Sequence, residues 1–161
     1  MTQALAVIAL VLVAVTMGLA LAHALEFPGK LRLEEKDYRL VQAIYYPGFT
    51  IGGLVGELGA LLLLPILLLL TPFGSERSWW IAAAFVFLVV GHLTYWFVTH
   101  PVNSVWLKDT RISGLGSVFF SAFAGQDADW RQLRDIWEYS HMARAGLATL
   151  SLIAMAVALT Q

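Results

Sequence analysis

The stretch of sequence that decides the fold is ALAVIALVLVAVTMGLALA, from Ala4 to Ala22. It carries no charged side chain, and about 20 helical residues at roughly 1.5 Å each cross the hydrocarbon core of a bilayer. A cleaved signal peptide is the alternative, because Ala22-His23-Ala24 resembles a small-residue cleavage site. Signal peptides begin with a positively charged segment, whereas Met1-Thr2-Gln3 has no charged side chain. We therefore expect a retained membrane span.

The composition of the whole chain agrees with a membrane protein. Of its 161 residues, 59% are hydrophobic and only 13% are charged, whereas a soluble domain has roughly 45–50% apolar and about 25% charged residues. The net charge of -1 argues against a nucleic-acid partner. The absence of cysteine excludes disulfides, thiolate metal sites and cysteine nucleophiles.

Three more apolar segments follow the first, so we predict spans at about residues 4–25, 50–71, 79–99 and 137–160. Residues 1–161 are then a single all-α domain, a transmembrane four-helix bundle. Phe27-Pro28-Gly29 predicts a turn, and residues 34–46 predict a short interfacial helix in the first cytoplasmic loop. We expect His100-Pro101 to end the third span and the apolar residues 112–124 to dip into the bilayer or cover the bundle end.

Loop charges predict the orientation, because cytoplasmic loops carry an excess of lysine and arginine. With four spans, both termini lie on one side, where the connecting loop holds only Arg77. The loops on the other side hold eight basic residues: Lys30, Arg32, Lys36, Arg39, Lys108, Arg111, Arg131 and Arg134. We therefore expect an integral protein of a bacterial inner membrane with both termini outside the cytoplasm.

All four spans bring costly polar side chains to a similar depth, in the cytoplasmic half of the bilayer. An ionisable group costs about 2.5–3.5 kcal/mol at the centre of a membrane helix, so each such group requires an explanation. The set comprises His23, Glu57, His92, Glu138, His141 and Arg144. Lipid would penalise these groups, so we expect them to face the bundle interior.

A metal site is one interpretation of this set. Carboxylate dinuclear sites in four-helix bundles use Glu-x-x-His from two helices and a glutamate from each of the others. Glu138-x-x-His141 fits that pattern, and His23-x-x-Glu26 is the same pair in reverse order. Glu57 would supply a third helix, and His92 or His100 the fourth. Such ligands suit iron, zinc, copper or manganese, as a single ion or a dinuclear centre.

Three other interpretations stay open. Two of His23, His92 and His141 could ligate a haem axially. Without any cofactor, Glu57 and a histidine could exchange a proton with a phenolic or enolic substrate, and Arg144 or Arg134 could stabilise the resulting oxyanion. The same residues could also form a polar network that only holds the bundle together.

Short motifs around the third and fourth spans carry a family resemblance. They are Thr99-His100-Pro101-Val102-Asn103, then Trp106, then Asp129-Trp130-Arg131-Gln132-Leu133-Arg134, followed by Trp137, His141 and Arg144. This pattern resembles the anthrone-oxygenase-like family of small four-span membrane proteins, most of whose bacterial members have no assigned function. There a Pro-x-Asn element follows the third span and a Trp-Arg…Trp…His…Arg stripe opens the fourth. The resemblance is clearest over residues 92–150, and the first half matches only in general character.

The resemblance implies oxygenation of a lipophilic polycyclic phenol to a quinone, in the fungal members without a known cofactor. Carried over by position, Asn103, Trp137, His141 and Arg144 become the site candidates. We therefore expect an oxidoreductase, in particular an oxygenase, that acts on a lipophilic phenolic or quinone-like molecule. The rival expectation is a non-catalytic or haem-carrying small subunit of a larger membrane complex. Membrane lipids are expected partners, and the glycines of the second span are expected either to form a homo-oligomer contact or to pack against the first span.

Overall fold

The computed structural model describes residues 2–106 and 129–161, which are almost entirely helical and contain no strand. The α-helices are α1 (Thr2–Lys30), α2 (Glu35–Gly53), α3 (Gly59–Leu69), α4 (Glu76–Thr94), α5 (His100–Trp106) and α6 (Trp130–Thr160). A π-helical turn at Leu54–Leu58 joins α2 to α3, and a second at Tyr95–Thr99 joins α4 to α5. Each pair therefore runs as one continuous helix with a widened turn in its middle.

Four helical segments are long and apolar enough to cross a membrane: Thr2–Lys30, Gly48–Leu69, Glu76–Asn103 and Trp130–Thr160. We refer to them as the first to fourth spans. They confirm the predicted four-span helical bundle. Large apolar side chains are exposed on all four spans, and such a surface suits lipid contact. The chain is therefore an integral membrane protein.

Small residues bring the helices close together. The buried face of α1 includes Ala6, Ala9 and Val13, and α6 buries alanines at similar helical spacing. In lipid, such small side chains let helix backbones approach closely. An interhelical hydrogen bond joins α6 to α4, since the hydroxyl of Ser151 donates to the carbonyl of Ala84 at 2.8 Å. At Gly56 of the second span, an added Cβ would lie only 3.0–3.1 Å from atoms of α1.

The connection between the second and third spans is tight, as predicted. Gly74 has a φ of 79°, a left-handed conformation that favours glycine. Ser75 then caps α4, because its side chain accepts a hydrogen bond from the backbone N–H of Ser78 at 3.2 Å. As a result, α3 packs antiparallel against α4.

Several helix boundaries differ from those predicted. The turn predicted at Phe27-Pro28-Gly29 is wrong, because α1 continues to Lys30 and the chain turns at residues 31–34. The amphipathic segment at residues 34–46 is not a separate interfacial helix but the first part of a helix that continues into the second span. His100-Pro101 does not end the third span, which continues into α5. The predicted apolar segment at residues 112–124 lies outside the described residues.

Candidate functional site

A cavity of about 290 Å³ lies inside the bundle beside the two π-turns. Its wall is mainly apolar and aromatic, which is typical of pockets for small molecules. Seven of the predicted site residues line it: His23, Glu57, His92, Asn103, Trp137, His141 and Arg144. Residues from all four spans therefore meet at one place, and all four candidates carried over by the family resemblance are among them.

The Glu57 carboxylate joins three spans. A guanidinium nitrogen of Arg144 donates to Oε2 of Glu57 at 2.7 Å, and His92 Nδ1 lies 3.0 Å from Oε1. The guanidinium also lies 5.0 Å from the centre of the Tyr95 ring. Both oxygens of Glu57 are engaged, so the carboxylate is placed to orient Arg144 and His92. Pairing also reduces the cost of placing the charges of Glu57 and Arg144 within a membrane.

The hydrogen bonds of His92 fix its tautomer. The indole N–H of Trp96 can only donate, and it lies 2.9 Å from His92 Nε2, which must therefore accept. The proton of a neutral His92 then sits on Nδ1 and is donated to Glu57. Both ring nitrogens are thus occupied by protein groups, and neither is free to bind a metal.

His141 presents one ring nitrogen to the cavity. Its Nδ1 lies 3.0 Å from the backbone carbonyl of Trp137, which can only accept, so Nδ1 carries the proton. Nε2 is then the unprotonated nitrogen, with no partner among the described residues. The indole of Trp137 lies 3.9 Å from the imidazole, centre to centre, and donates to Asn103 Oδ1 at 2.7 Å. Asn103 and Trp137 therefore hold His141 in place.

A second polar cluster surrounds Lys30, for which the sequence predicted a loop position. Its side chain is 3% exposed, and its ammonium lies 3.2 Å from Glu26, 3.6 Å from Glu138 and 3.4 Å from His23 Nδ1. Glu138 is fully buried, and its Oε2 has no hydrogen-bond partner in the described part of the chain. We call Glu26, Lys30, Glu138 and Tyr38 the Lys30 cluster. It lies behind His23, away from the cavity itself.

The Lys30 cluster contains two of the predicted metal ligands, Glu26 and Glu138, and contacts a third, His23. His23, Glu26 and Glu138 do converge, but at distances of 3.2–3.6 Å from a central ammonium, whereas metal ligands lie at about 2.0–2.2 Å. His100 lies against Trp96 instead, with ring centres 4.9 Å apart. In residues 2–106 and 129–161, no three histidine, aspartate or glutamate side chains are grouped to hold a metal ion. The predicted metal site therefore has no geometric support in these residues.

The haem interpretation has no geometric support either. The rings of His23 and His141 contact each other directly, with centres 4.5 Å apart and an angle of 67° between their planes. This arrangement leaves no room for a porphyrin between them. His92, the third candidate, has both ring nitrogens engaged by Glu57 and Trp96.

Two tyrosines that precede the second span complete the Lys30 cluster and its surroundings. Tyr38 donates to Glu138 Oε1 at 2.8 Å, and burial, followed by the Glu138 charge, raises the pKa of this phenol. Burial, followed by a hydrogen bond to Glu26, raises the pKa of Tyr45 to about 12. Both phenols therefore stay protonated at neutral pH and act as donors to the carboxylates.

Lys30, Tyr38 and Trp96 were not predicted as site residues from the sequence. Glu26 and Lys30 are four residues apart, the spacing of an ion pair on one helix face, and this signal could have identified Lys30. Tyr38 and Trp96 had no comparable signal. Arg134, a predicted oxyanion partner, instead pairs with the adjacent Asp135 at 2.7 Å.

No protein-family model, no curated protein and no solved structure matches the chain. The resemblance to the anthrone-oxygenase-like family therefore stays a prediction, and functional proposals depend on the geometry of the cavity.

Proposed function

We propose that this protein is a membrane oxidoreductase, specifically an oxygenase, that binds a lipophilic phenolic or quinone-like ring in the 290 Å³ cavity. The supporting observation is that a histidine with an available nitrogen and an arginine with available N–H groups line the same apolar cavity. His141 and Arg144 are also two of the residues to which the family resemblance points.

In this proposal His141 is the base. Its Nδ1 proton is held by the Trp137 carbonyl, so Nε2 accepts the proton that the substrate gives up. The product of that step is an oxyanion or its carbanion form. Arg144, oriented by Glu57, has further N–H groups with no acceptor among the described residues, and these donate to the oxyanion.

Dioxygen is the oxidant that this reaction requires. An electron-rich carbanion can itself transfer electrons to dioxygen and form a bond to it. Loss of water from the resulting hydroperoxide gives the ketone. For anthrone the balance is one anthrone and one dioxygen to one anthraquinone and one water, so the methylene carbon loses four electrons and dioxygen accepts them.

The test uses anthrone with the chain reconstituted in lipid vesicles. We expect dioxygen uptake and anthraquinone formation in a one-to-one ratio, well above the uncatalysed rate. His141→Ala should lower kcat by about 10²–10⁴, the usual contribution of acid–base catalysis. Full turnover by His141→Ala would remove this residue from the mechanism. No catalysed oxidation of anthrone or of hydroxylated anthrones would contradict the oxygenase proposal.

The orientation belongs to the same proposal, in which the protein lies in a bacterial inner membrane with both termini outside the cytoplasm. Lys30 and Arg134 are buried, so they no longer count as loop charges, and the eight basic residues become six. The terminal side still has only Arg77, so the bias keeps its direction. A cysteine introduced at Gln3 should react with an impermeant reagent added to intact cells, whereas a cysteine introduced at Arg39 should react only after the cells are permeabilised.

A further inference from the structure

The second and third spans separate beside the cavity. Near their short connection, α3 packs against α4. Beyond the two π-turns, α2 packs against α1, whereas α5 packs against α6. The two spans therefore pack against different neighbours beyond the π-turns, and residues of both spans line the cavity there. We call this region between them the span gap and define it by Leu54 on the second span and Trp96 on the third.

The rim of the span gap is apolar and faces outward. Leu54 and Trp96 both line the cavity, yet they are 60% and 49% exposed. The neighbouring Val55 and Leu93 are also exposed on the outer surface. All of these residues lie within predicted membrane spans, so their surroundings are hydrocarbon.

A pair of polar side chains, Glu57 and His92, links the two sides of the span gap. His92 donates from Nδ1 to Glu57 at 3.0 Å, and Trp96 donates to His92 Nε2 from the rim. Glu57 lies in one π-turn, and Trp96 in the other. Widened π-turns interrupt the regular hydrogen-bond pattern of a helix and often accompany functional sites. Here they flank the Glu57–His92 hydrogen bond.

We propose that the span gap is a lateral entrance through which a lipophilic molecule passes from the bilayer into the cavity, with the Glu57–His92 hydrogen bond as its gate. The inference rests on the proposed function only in that the cavity receives a lipophilic guest. It concerns the route of entry, which holds for any reaction inside. A molecule dissolved in lipid reaches the rim of the span gap directly from the bilayer. A charged, water-soluble molecule does not enter the bilayer and therefore does not reach this rim.

The chain contains no cysteine, so a single introduced thiol can report on access. Ala20→Cys places it on the cavity wall. Ala9→Cys is the matched control, because Ala9 lies on the same helix in the packed core and does not line the cavity. Vesicle-reconstituted protein is treated with pyrenylmaleimide, which partitions into lipid, or with the charged sulfonatoethyl methanethiosulfonate. Each rate is divided by that of the same reagent with glutathione.

We expect the Ala20→Cys variant to react at least about tenfold faster with the lipid-soluble reagent than with the charged one, and the Ala9→Cys variant to react slowly with both. Adding His92→Leu to Ala20→Cys removes the gate. The labelling rate with the lipid-soluble reagent should then rise about tenfold, because opening no longer breaks a hydrogen bond to a charged group. The substitution should leave the charged-reagent rate unchanged. Thr94→Val should change neither rate, because Thr94 lies two residues away on the same helix and its hydroxyl donates to the carbonyl of Val90 in that helix.

Equal or faster labelling by the charged reagent would overturn the proposal, because the cavity would then open to water. Failure of both reagents to label the Ala20→Cys variant, even with His92→Leu, would overturn it as well. If Ala20→Cys does not fold, Thr16→Cys places the thiol on the same cavity wall. Labelling requires no turnover, so this result is independent of whether anthrone is oxidised.

Discussion

Removal of the Lys30 ammonium should be among the most damaging single changes in this bundle. Lys30 is the counter-charge of Glu138, which is fully buried and already has one oxygen without a hydrogen-bond partner in the described part of the chain. The ammonium also lies over the rings of Tyr45 and Trp137, at 4.8 and 5.0 Å. Lys30→Met keeps most of the apolar volume of the side chain, so the variant isolates the loss of charge.

The expected cost follows from the burial of the partner. Breaking one side of a buried ion pair costs about 3–5 kcal/mol, since an uncompensated charge remains. Tyr38 still donates to Glu138, so we expect about 3 kcal/mol for Lys30→Met. Glu138→Gln should cost about 1–2 kcal/mol, because Lys30 keeps Glu26 at 3.2 Å. The double variant leaves no unpaired carboxylate at residue 138 and should lose less stability than Lys30→Met alone.

The assay is reversible unfolding by sodium dodecyl sulfate in mixed micelles, followed by tryptophan fluorescence. Arg39→Met is the matched control, because Arg39 forms a half-exposed pair with Glu35 on one helix. Such surface pairs contribute about 0.3–0.5 kcal/mol. The reasoning is refuted if Lys30→Met is no more destabilising than Arg39→Met, or if adding Glu138→Gln does not restore stability.

Three further results are expected. Gly56→Ala should lower stability by about 1–3 kcal/mol, because its Cβ would lie 3.1 Å from the backbone of Thr16; Gly53→Ala, with nothing within 4 Å, should be neutral or stabilising in the same unfolding assay. Ser151→Ala should cost about 0.6 kcal/mol, typical of an interhelical hydrogen bond in a membrane, and a loss above about 2 kcal/mol would contradict that origin. Because the pKa of Tyr45 is raised from 10 to about 12 in the folded chain, the unfolded chain loses this proton first; stability should therefore fall as the pH rises from about 10 to about 12, and Tyr45→Phe should reduce that loss in a pH series.

Much of the architecture could be predicted because membrane insertion imposes strong rules. Apolar length identified four spans, and the short connection after Leu70 required neighbouring antiparallel helices. The convergence of His23, Glu57, His92, His141 and Arg144 was predicted from depth alone, since lipid penalises a polar side chain on the outer face.

Helix ends were predicted less well, and this error affected the site. Proline and glycine at residues 28 and 29 indicate a turn in a soluble chain, but α1 continues through them. A turn at these residues would place Lys30 in a loop, outside the bundle interior. Pro101 lies two residues after a π-turn, where the regular hydrogen-bond ladder is already interrupted, so it does not end the helix. Composition gives no signal for such a turn.

The two π-turns also have a consequence for insertions and deletions. A widened turn holds one residue more than a regular helix would, and each residue of an α-helix rotates the chain by roughly 100°. Deleting one residue between Tyr95 and Thr99 should therefore restore a regular turn and leave the later residues, including Asn103, on their present helix faces. A deletion in the regular part of α4 has no widened turn to absorb it, so it would rotate everything after it by about 100° and move Asn103 away from the indole of Trp137. The π-turn is thus the place in the third span where a change of length leaves the groups that face the cavity in register.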